Sequence, residues 1–175
     1  GLVGSEMGIR DRCRGRVLCV FGCGGDRDPG KRAPMGQVAD EFSDIAWITS
    51  DNPRTEDPKK IADEIIEGFG ELERFRVQLD RVKAIHEALD EARQGDWVVI
   101  AGKGHESEQV LAQGVVEFDD RLVVKSLVSN SIKSLLSGRK SIMIESTLGQ
   151  IREWTGAAFV GIFAPQSVIT GISTD

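Results

Sequence analysis

The segment Ile45-Ala46-Trp47-Ile48-Thr49-Ser50-Asp51-Asn52-Pro53-Arg54 reads as a buried strand that runs straight into a rigid turn. An unbroken run of apolar and β-branched residues fits a strand covered on both faces, as in a parallel sheet. Pro53 fixes its own φ and pushes Asn52 towards an extended backbone, so the turn is pre-set. Arg54 is then aimed with little entropy left to lose, and its planar fork suits a carboxylate or a phosphate. In an open parallel sheet, ligands bind beyond the carboxyl ends of the strands. Asp51, Asn52, Pro53 and Arg54 stand at such an end.

Two further segments have the same form. Arg16-Val17-Leu18-Cys19-Val20-Phe21 breaks into Gly22-Cys23-Gly24-Gly25-Asp26-Arg27-Asp28, and Trp97-Val98-Val99-Ile100-Ala101 breaks into Gly102-Lys103-Gly104-His105-Glu106. Each is a short β-rich run delivered into glycine and charge. Glycine lets a backbone take positive φ and come close to a ligand. The ends of neighbouring parallel strands converge on one edge, so these loops can share a site.

Between the strands the period changes to that of helices. Residues 33–43 carry Met35, Val38, Ala39 and Phe42 on one face, with Pro34 in the first turn. Asp57 and Pro58 fit the N-cap and first position of a second helix, striped by Ile61, Ile65, Ile66 and Phe69. Val77-Gln78-Leu79 reads as a short strand, residues 81–93 as a helix, 109–111 and 115–118 as a terminal hairpin or strand, and 119–136 as a last helix. Alternating strands and helices of these lengths predict an α/β fold: a Rossmann-like, mostly parallel sheet with helices on both faces, plus a short C-terminal extension outside the core.

Composition narrows the class. The chain has 175 residues, 22 of them basic and 28 acidic, for a formal charge of −6. That balance argues against nucleic acid, which wants a basic face. No apolar run reaches the roughly 18 residues of a membrane span, and no signal peptide is evident. Cys13, Cys19 and Cys23 are odd in number and in no metal spacing, which fits free thiols in a reducing, cytoplasmic setting. Cys19 reads as core and Cys23 as a small loop residue. Lys103 in Gly-Lys-Gly invites a phosphate-loop reading, but the full phosphate-loop spacing is absent. Arg27 stands where a dinucleotide fingerprint needs its third glycine. His105 beside Glu106 reads as structural rather than as a general base, His86 as an exposed helix residue, and Trp47 and Trp97 as core. Arg27 can also pair with Asp26 or Asp28 in a solvated loop.

The segments Val20 to Asp28, Thr49 to Arg54 and Ala101 to Glu106, followed by Phe118-Asp119-Asp120-Arg121, together resemble the C-terminal domain of the Mur ligases, in the diaminopimelate-adding MurE branch. The resemblance runs from about Gly15 to about Leu127, with the blocks in order and in spacing. It implies an ATP- and Mg2+-dependent amide ligase of bacterial peptidoglycan biosynthesis. Such an enzyme adds meso-diaminopimelate to the D-glutamate carboxyl of UDP-N-acetylmuramoyl-L-Ala-D-Glu, a UDP-muramoyl dipeptide, through an acyl phosphate. The resemblance also implies that Asp51, Asn52, Pro53 and Arg54 recognise diaminopimelate, together with Arg27, Gly102 and Glu106. Lysine-adding relatives lack the arginine matched by Arg54. An arginine site left with an unpaired charge would reject lysine by several kcal/mol. Pro29, where the family usually has lysine, and Ala33 are small departures.

The same resemblance divides the chain. Residues 1–14 match nothing, residues 15–137 are the ligase domain without its first strand and helix, and residues 138–142 are a linker. Residues 143–175, with Met143 to Ile151, Trp154-Thr155-Gly156 and Gly171 to Asp175, resemble the start of a second Mur ligase, MurF, as in a fusion. The phosphate loop, the magnesium ligands and the carbamylated lysine belong to the family's central domain. With the central and N-terminal Mur domains missing, no catalytic or metal-ligating residue is assigned and ATP and Mg2+ are expected to bind elsewhere. The stretch alone is expected to hydrolyse no ATP. Competing readings are the lysine-adding ligase of the same family, a non-catalytic α/β ligand-binding module, and a remnant without a stable fold of its own.

Overall fold

In the computed structural model, residues 13–93, 95–103, 106–127, 143–145 and 162–164 are described. Strands β1 (Val17–Phe21), β2 (Ile45–Ile48), β3 (Phe75–Val77) and β4 (Trp97–Ile100) form a parallel sheet in the order β3-β2-β1-β4. Helices α1 (Arg32–Phe42), α2 (Pro58–Ile66) and α3 (Arg81–Glu91) connect them. Beyond β4, strands β5 (Glu108–Leu111) and β6 (Gly114–Glu117) make an antiparallel hairpin, and residues 120–127 form helix α4. Strands β7 (Met143–Glu145) and β8 (Ile162–Ala164) pair antiparallel.

Strand side chains alternate between two layers. Leu18 and Val20 of β1, Trp47 of β2, and Val98 and Ile100 of β4 pack with Ala84, Ile85 and Ala88 of α3 and Val124 of α4. Phe21, Ala46 and Ile48 point to the opposite face and pack with Ala39 of α1 and Ile61, Ala62 and Ile65 of α2. The expected doubly covered sheet is therefore present. The chain steps from β1 outward to β2 and β3, then crosses to β4 on the far side of β1. That reversal makes the carboxyl ends of β1 and β4 a topological switch point, the usual ligand crevice of such sheets.

Local chemistry explains the element boundaries. Asp57 caps α2 by accepting from the Lys59 amide at 2.9 Å, with Pro58 behind it, as the sequence predicts. Asp80 does the same for α3 through Lys83 N–H at 3.2 Å. Asp119 accepts from Arg121 N–H at 2.8 Å at the start of α4. The third strand is displaced from the expected Val77–Leu79 to Phe75–Val77. A 3-10 turn, Leu72–Arg74, delivers Phe75 against Phe69 with ring centroids 5.0 Å apart, and this aromatic contact sets the register of the edge strand. Arg76 on that strand stacks 5.2 Å over Trp47. Trp47 is buried, whereas Trp97 is only half-buried, and His86 sits on an exposed helix face 3.2 Å from Asp90. Residues 1–12, residues 128–142, His105 and, apart from β7 and β8, residues 143–175 lie outside the described residues, and with them most of the unmatched start, the linker and most of the MurF-like stretch.

Candidate functional site

Three loops meet at the carboxyl edge of the sheet: residues 22–28 after β1, 49–56 after β2 and 101–107 after β4. Backbone bonds tie the first two together. The Gly25 amide donates to Asn52 O at 2.8 Å, and the Arg54 amide donates to Val110 O of β5 at 3.1 Å. Gly25 is required here, because a Cβ would be driven into the Pro53 carbonyl. Arg54 takes a left-handed backbone, φ 53°, and so does Asp26 at φ 53°. A non-glycine residue in that region costs roughly 1 kcal/mol or more, and such strain clusters at functional sites.

The cationic side of the site is built from Arg27 and Arg54. Arg54 Nη1 donates to Gly25 O at 2.8 Å. The rest of its guanidinium, and all of the exposed Arg27 side chain, has no hydrogen-bond or ion-pair partner among the described residues. Both arginines flank Gly24, where a Cβ would stand 3.4 Å from Arg54 Nη1 and 3.7 Å from Arg27 Cγ. Arg27 does not pair with its neighbours. Asp26 instead accepts from Thr55 Oγ1 at 2.8 Å, and Asp28 accepts from the Gly30 amide at 2.9 Å. Two partly free guanidinium groups beside a glycine form an anion-binding corner.

The opposite side is acidic. Asp51 is largely buried, and Glu106 is half-exposed. Burial pushes the Asp51 carboxyl up from its ordinary value, while the charges of Arg81 and Lys103 work against that rise and Glu106 adds to it. Asn52 holds the two acidic loops in register. Its Nδ2 donates to Glu106 Oε2 at 2.9 Å, and its Oδ1 accepts from Lys103 Nζ and from the Val110 amide, each at 2.9 Å. Thr49 Oγ1, Ser50 Oγ and Asp51 Oδ1, successive residues leaving β2, are buried oxygens without a hydrogen-bond partner among the described residues. Asp51 Oδ1 has only the ionic approach of Lys103 Nζ at 3.4 Å. Unfilled hydrogen-bonding capacity is rare in a buried region, and three successive oxygens leave acceptors to spare at this end of β2; Arg32 Nε, Asp40 Oδ1 and Arg81 Nη1 are the other such atoms among the described residues. Gly102 passes beside Asp51 Oδ2, where a Cβ would stand an ordinary 3.6 Å from that oxygen; its φ of 117°, not a lack of space, is what favours glycine here.

Behind these groups lie charges whose partners the sequence does not reveal. Arg32 is 1% exposed and bridges Glu56 at 2.9 Å and Glu64 at 2.6 Å. Glu56 Oε1 also takes the Asp26 amide at 2.5 Å, so Arg32 braces the Arg27 loop through Glu56 of the loop after β2. Arg32's hydrogen bond holds the Glu56 carboxyl below its ordinary value. Arg81 and Asp120 form a fully buried ion pair at 2.7 Å, and Arg81 Nη2 reaches Ala101 O at 2.9 Å. Lys103 is equally buried. A phosphate-loop role does not fit it, because its ammonium is engaged by Asn52 and by Glu108 O at 2.7 Å. Burial pushes the Cys19 thiol up to about 12 and raises Cys23 as well, so neither is an activated nucleophile. No group of three or more His, Cys, Asp or Glu side chains suited to a metal ion occurs among the described residues. No helix among the described residues is long and apolar enough to cross a membrane.

All seven residues expected at the site therefore stand on these three adjoining loops. Asn52 and Pro53 are the buried frame of the turn, while Arg27, Arg54, Asp51 and Glu106 supply the charges. The arrangement can hold a zwitterion: carboxylate towards the arginines, ammonium towards the acids.

Comparison with known proteins places this chain in a family. The model of the Mur ligase glutamate ligase domain matches residues 7–104, beginning ahead of Gly15 and ending short of residues 143–175. The UDP-N-acetylmuramoyl-L-alanyl-D-glutamate–2,6-diaminopimelate ligase of Prochlorococcus marinus subsp. pastoris is 46% identical over 134 residues, covering 77% of this chain and 26% of that protein. The ligase of the same name from Syntrophomonas wolfei is 50% identical over 126 residues, 71% of this chain and 26% of its own length. That of Gloeobacter violaceus is 53% identical over 116 residues, 66% of this chain and 24% of its own. A solved structure of a ligase with this name superposes with a TM-score of 0.69 at 39% identity, covering 75% of this chain and 27% of that one. The chain spans about a quarter of the length of the curated relatives it matches.

Proposed function

This chain belongs to the Mur ligase family as its glutamate ligase domain, and we propose on that footing that it carries the amino-acid-recognition site of a ligase adding meso-diaminopimelate to UDP-N-acetylmuramoyl-L-Ala-D-Glu. The observation that carries this reading is the pair Arg27 and Arg54, set on either side of Gly24 with guanidinium donors to spare. Diaminopimelate differs from lysine by one carboxylate, and a free planar fork is what a second carboxylate would satisfy. Asp51 and Glu106 supply acceptors for an ammonium group, and Gly102 lets the backbone come close. The amine that attacks must be held near the activated carboxyl, so orientation is the chief contribution of these loops.

On this reading ATP and Mg2+ bind the central domain of the whole ligase, which joins an N-terminal domain that holds the UDP-linked substrate. The protein then works in the cytoplasm, where that substrate is made. The MurF-like start at residues 143–175 would continue the chain into a second ligase; its support is the sequence pattern alone.

The test is ATP-dependent addition of meso-diaminopimelate or L-lysine by the full-length ligase, wild type against Arg54→Ala. Strong preference for diaminopimelate, lost in the variant by a factor of about 10 to 100, as expected for a charge-assisted pair, supports the reading. Equal use of lysine, or a variant that keeps the preference, overturns it.

A further inference from the structure

The cation nearest the centre of the site is neither arginine. The Lys103 side chain is 0% exposed, an unusual place for a lysine unless every proton is used. Its Nζ donates to Asn52 Oδ1 at 2.9 Å and to Glu108 O at 2.7 Å. The remaining direction faces Asp51 Oδ1 at 3.4 Å and Glu106 Oε2 at 3.9 Å. Phe118 closes the opposite side, its ring centroid 5.8 Å from the ammonium. One group thus joins the turn after β2, the loop after β4 and the first strand of the β5–β6 hairpin.

We propose that Lys103 is a positioning residue of the amino-acid site, locking the Asp51–Arg54 turn to the hairpin and spacing Asp51 and Glu106 around one ammonium. The proposal rests in part on the diaminopimelate reading, since it explains how that site is held open to a ligand ammonium. Its physical content is separate. Without the charge, two carboxylates face each other across a partly desolvated gap, and like charges in such a gap repel strongly. Without the donors, Glu108 O is orphaned and Asn52 Oδ1 keeps only the Val110 amide. The Asn52 amide is then held by two hydrogen bonds instead of three, which loosens both the Glu106 contact and the turn that presents Arg54. Lys103 touches no reacting atom in this account; it acts through Asn52, Asp51 and Glu106. Arginine cannot replace it, because a planar fork is larger and cannot radiate three donors from one nitrogen.

The experiment uses the full-length ligase with Lys103→Met, which keeps bulk, and Lys103→Gln, which keeps donors but no charge. Two readouts are taken on each: KM for each substrate, and amide hydrogen exchange. We expect KM for diaminopimelate to rise about tenfold or more in both variants, while KM for ATP and for the UDP-linked dipeptide stays within about twofold. In Lys103→Met, exchange at the Arg54 and Val110 amides should quicken by about tenfold, with β1 and β2 unchanged. Lys103→Gln should keep most of that protection, and it serves alone should the methionine variant not fold. An unchanged KM for diaminopimelate, or protection lost evenly across the domain, overturns the proposal. A wild-type ligase that ignores diaminopimelate overturns the substrate reading instead, and the exchange data still decide for or against Lys103.

Discussion

Arg54 Nη1 and the carbonyl of Gly25 are 2.8 Å apart, and the amide of that same Gly25 donates to Asn52 O at 2.8 Å. The loop after β1 and the turn after β2 are thus clasped from both sides of one glycine. Because Arg54 does this with a left-handed backbone, its substitutions separate strain from binding. Arg54→Ala and Arg54→Gly should both lose the preference for diaminopimelate. The alanine variant should be the less stable of the two by about 1 kcal/mol, since only glycine enters that region freely. Denaturant melts of the two variants check this.

Two glycines test where tight packing matters. Gly36 of α1 faces Gly68 at the end of α2, and a Cβ on Gly36 would be forced into Ile65 O. Gly36→Ala should cost on the order of 2 kcal/mol of stability through overpacking and leave every KM unchanged. Gly25→Ala drives its Cβ into the Pro53 carbonyl, so it should raise KM for diaminopimelate as well as lower stability. Parallel melts and kinetics distinguish the two.

The Arg81–Asp120 pair anchors α3 and α4 to the end of β4. Burial disfavours the Arg81 charge, but Asp120's hydrogen bond and charge outweigh that and raise its pKa above the ordinary value. Arg81→Met alone leaves a buried, unpaired carboxylate and should cost about 3–5 kcal/mol. Arg81→Met with Asp120→Leu should recover much of that loss. A double variant no more stable than the single one would show that Ala101 O, not Asp120, is the important partner.

Asp96 gives a pH prediction. Burial raises its carboxyl, but the Arg16 guanidinium and the amides of Arg16 and Arg93 outweigh burial and hold it below its ordinary value. A carboxylate whose folded pKa is depressed stabilises the fold above its unfolded pKa, about 3.9, and loses that contribution as pH falls towards the folded value. Wild type should therefore lose more stability than Asp96→Asn between about pH 5 and pH 3, with the two curves converging at the acid end. Thermal melts across that range provide the comparison.

What the sequence made visible was whatever is local. The β2 run and its Asp-Asn-Pro-Arg turn, the glycine breaks after β1 and β4, and the Asp57-Pro58 cap all follow from neighbours in the chain, and all stand where they were expected. The misread features depend on distant partners. Lys103 looked like a weak phosphate-loop residue because Asn52, its chief acceptor, lies 51 positions away. Arg81 and Asp120, separated by 39 positions, give no sign of each other in the sequence. Arg32 gives no sign in the sequence of Glu56 and Glu64, the partners that pair with it when buried. The edge strand shifted because Phe75 is fixed by Phe69 across a turn, a contact that no period-2 pattern announces. A signal was available in each case only as an unexplained charge beside an apolar run.

The meeting of three separate loops at one sheet edge has a stereochemical consequence. The loops after the adjacent strands β1, β2 and β4 carry attachment points of different kinds: Arg27 on the first, Asp51 and Arg54 on the second, Glu106 on the third. A ligand gripped at three such points presents one handedness at each of its centres. Its mirror image can satisfy two loops but must turn its third group away, stranding either a guanidinium or a carboxylate. An edge of this kind therefore reads configuration as well as charge, and it does so through the spacing of parallel strands rather than through any single side chain.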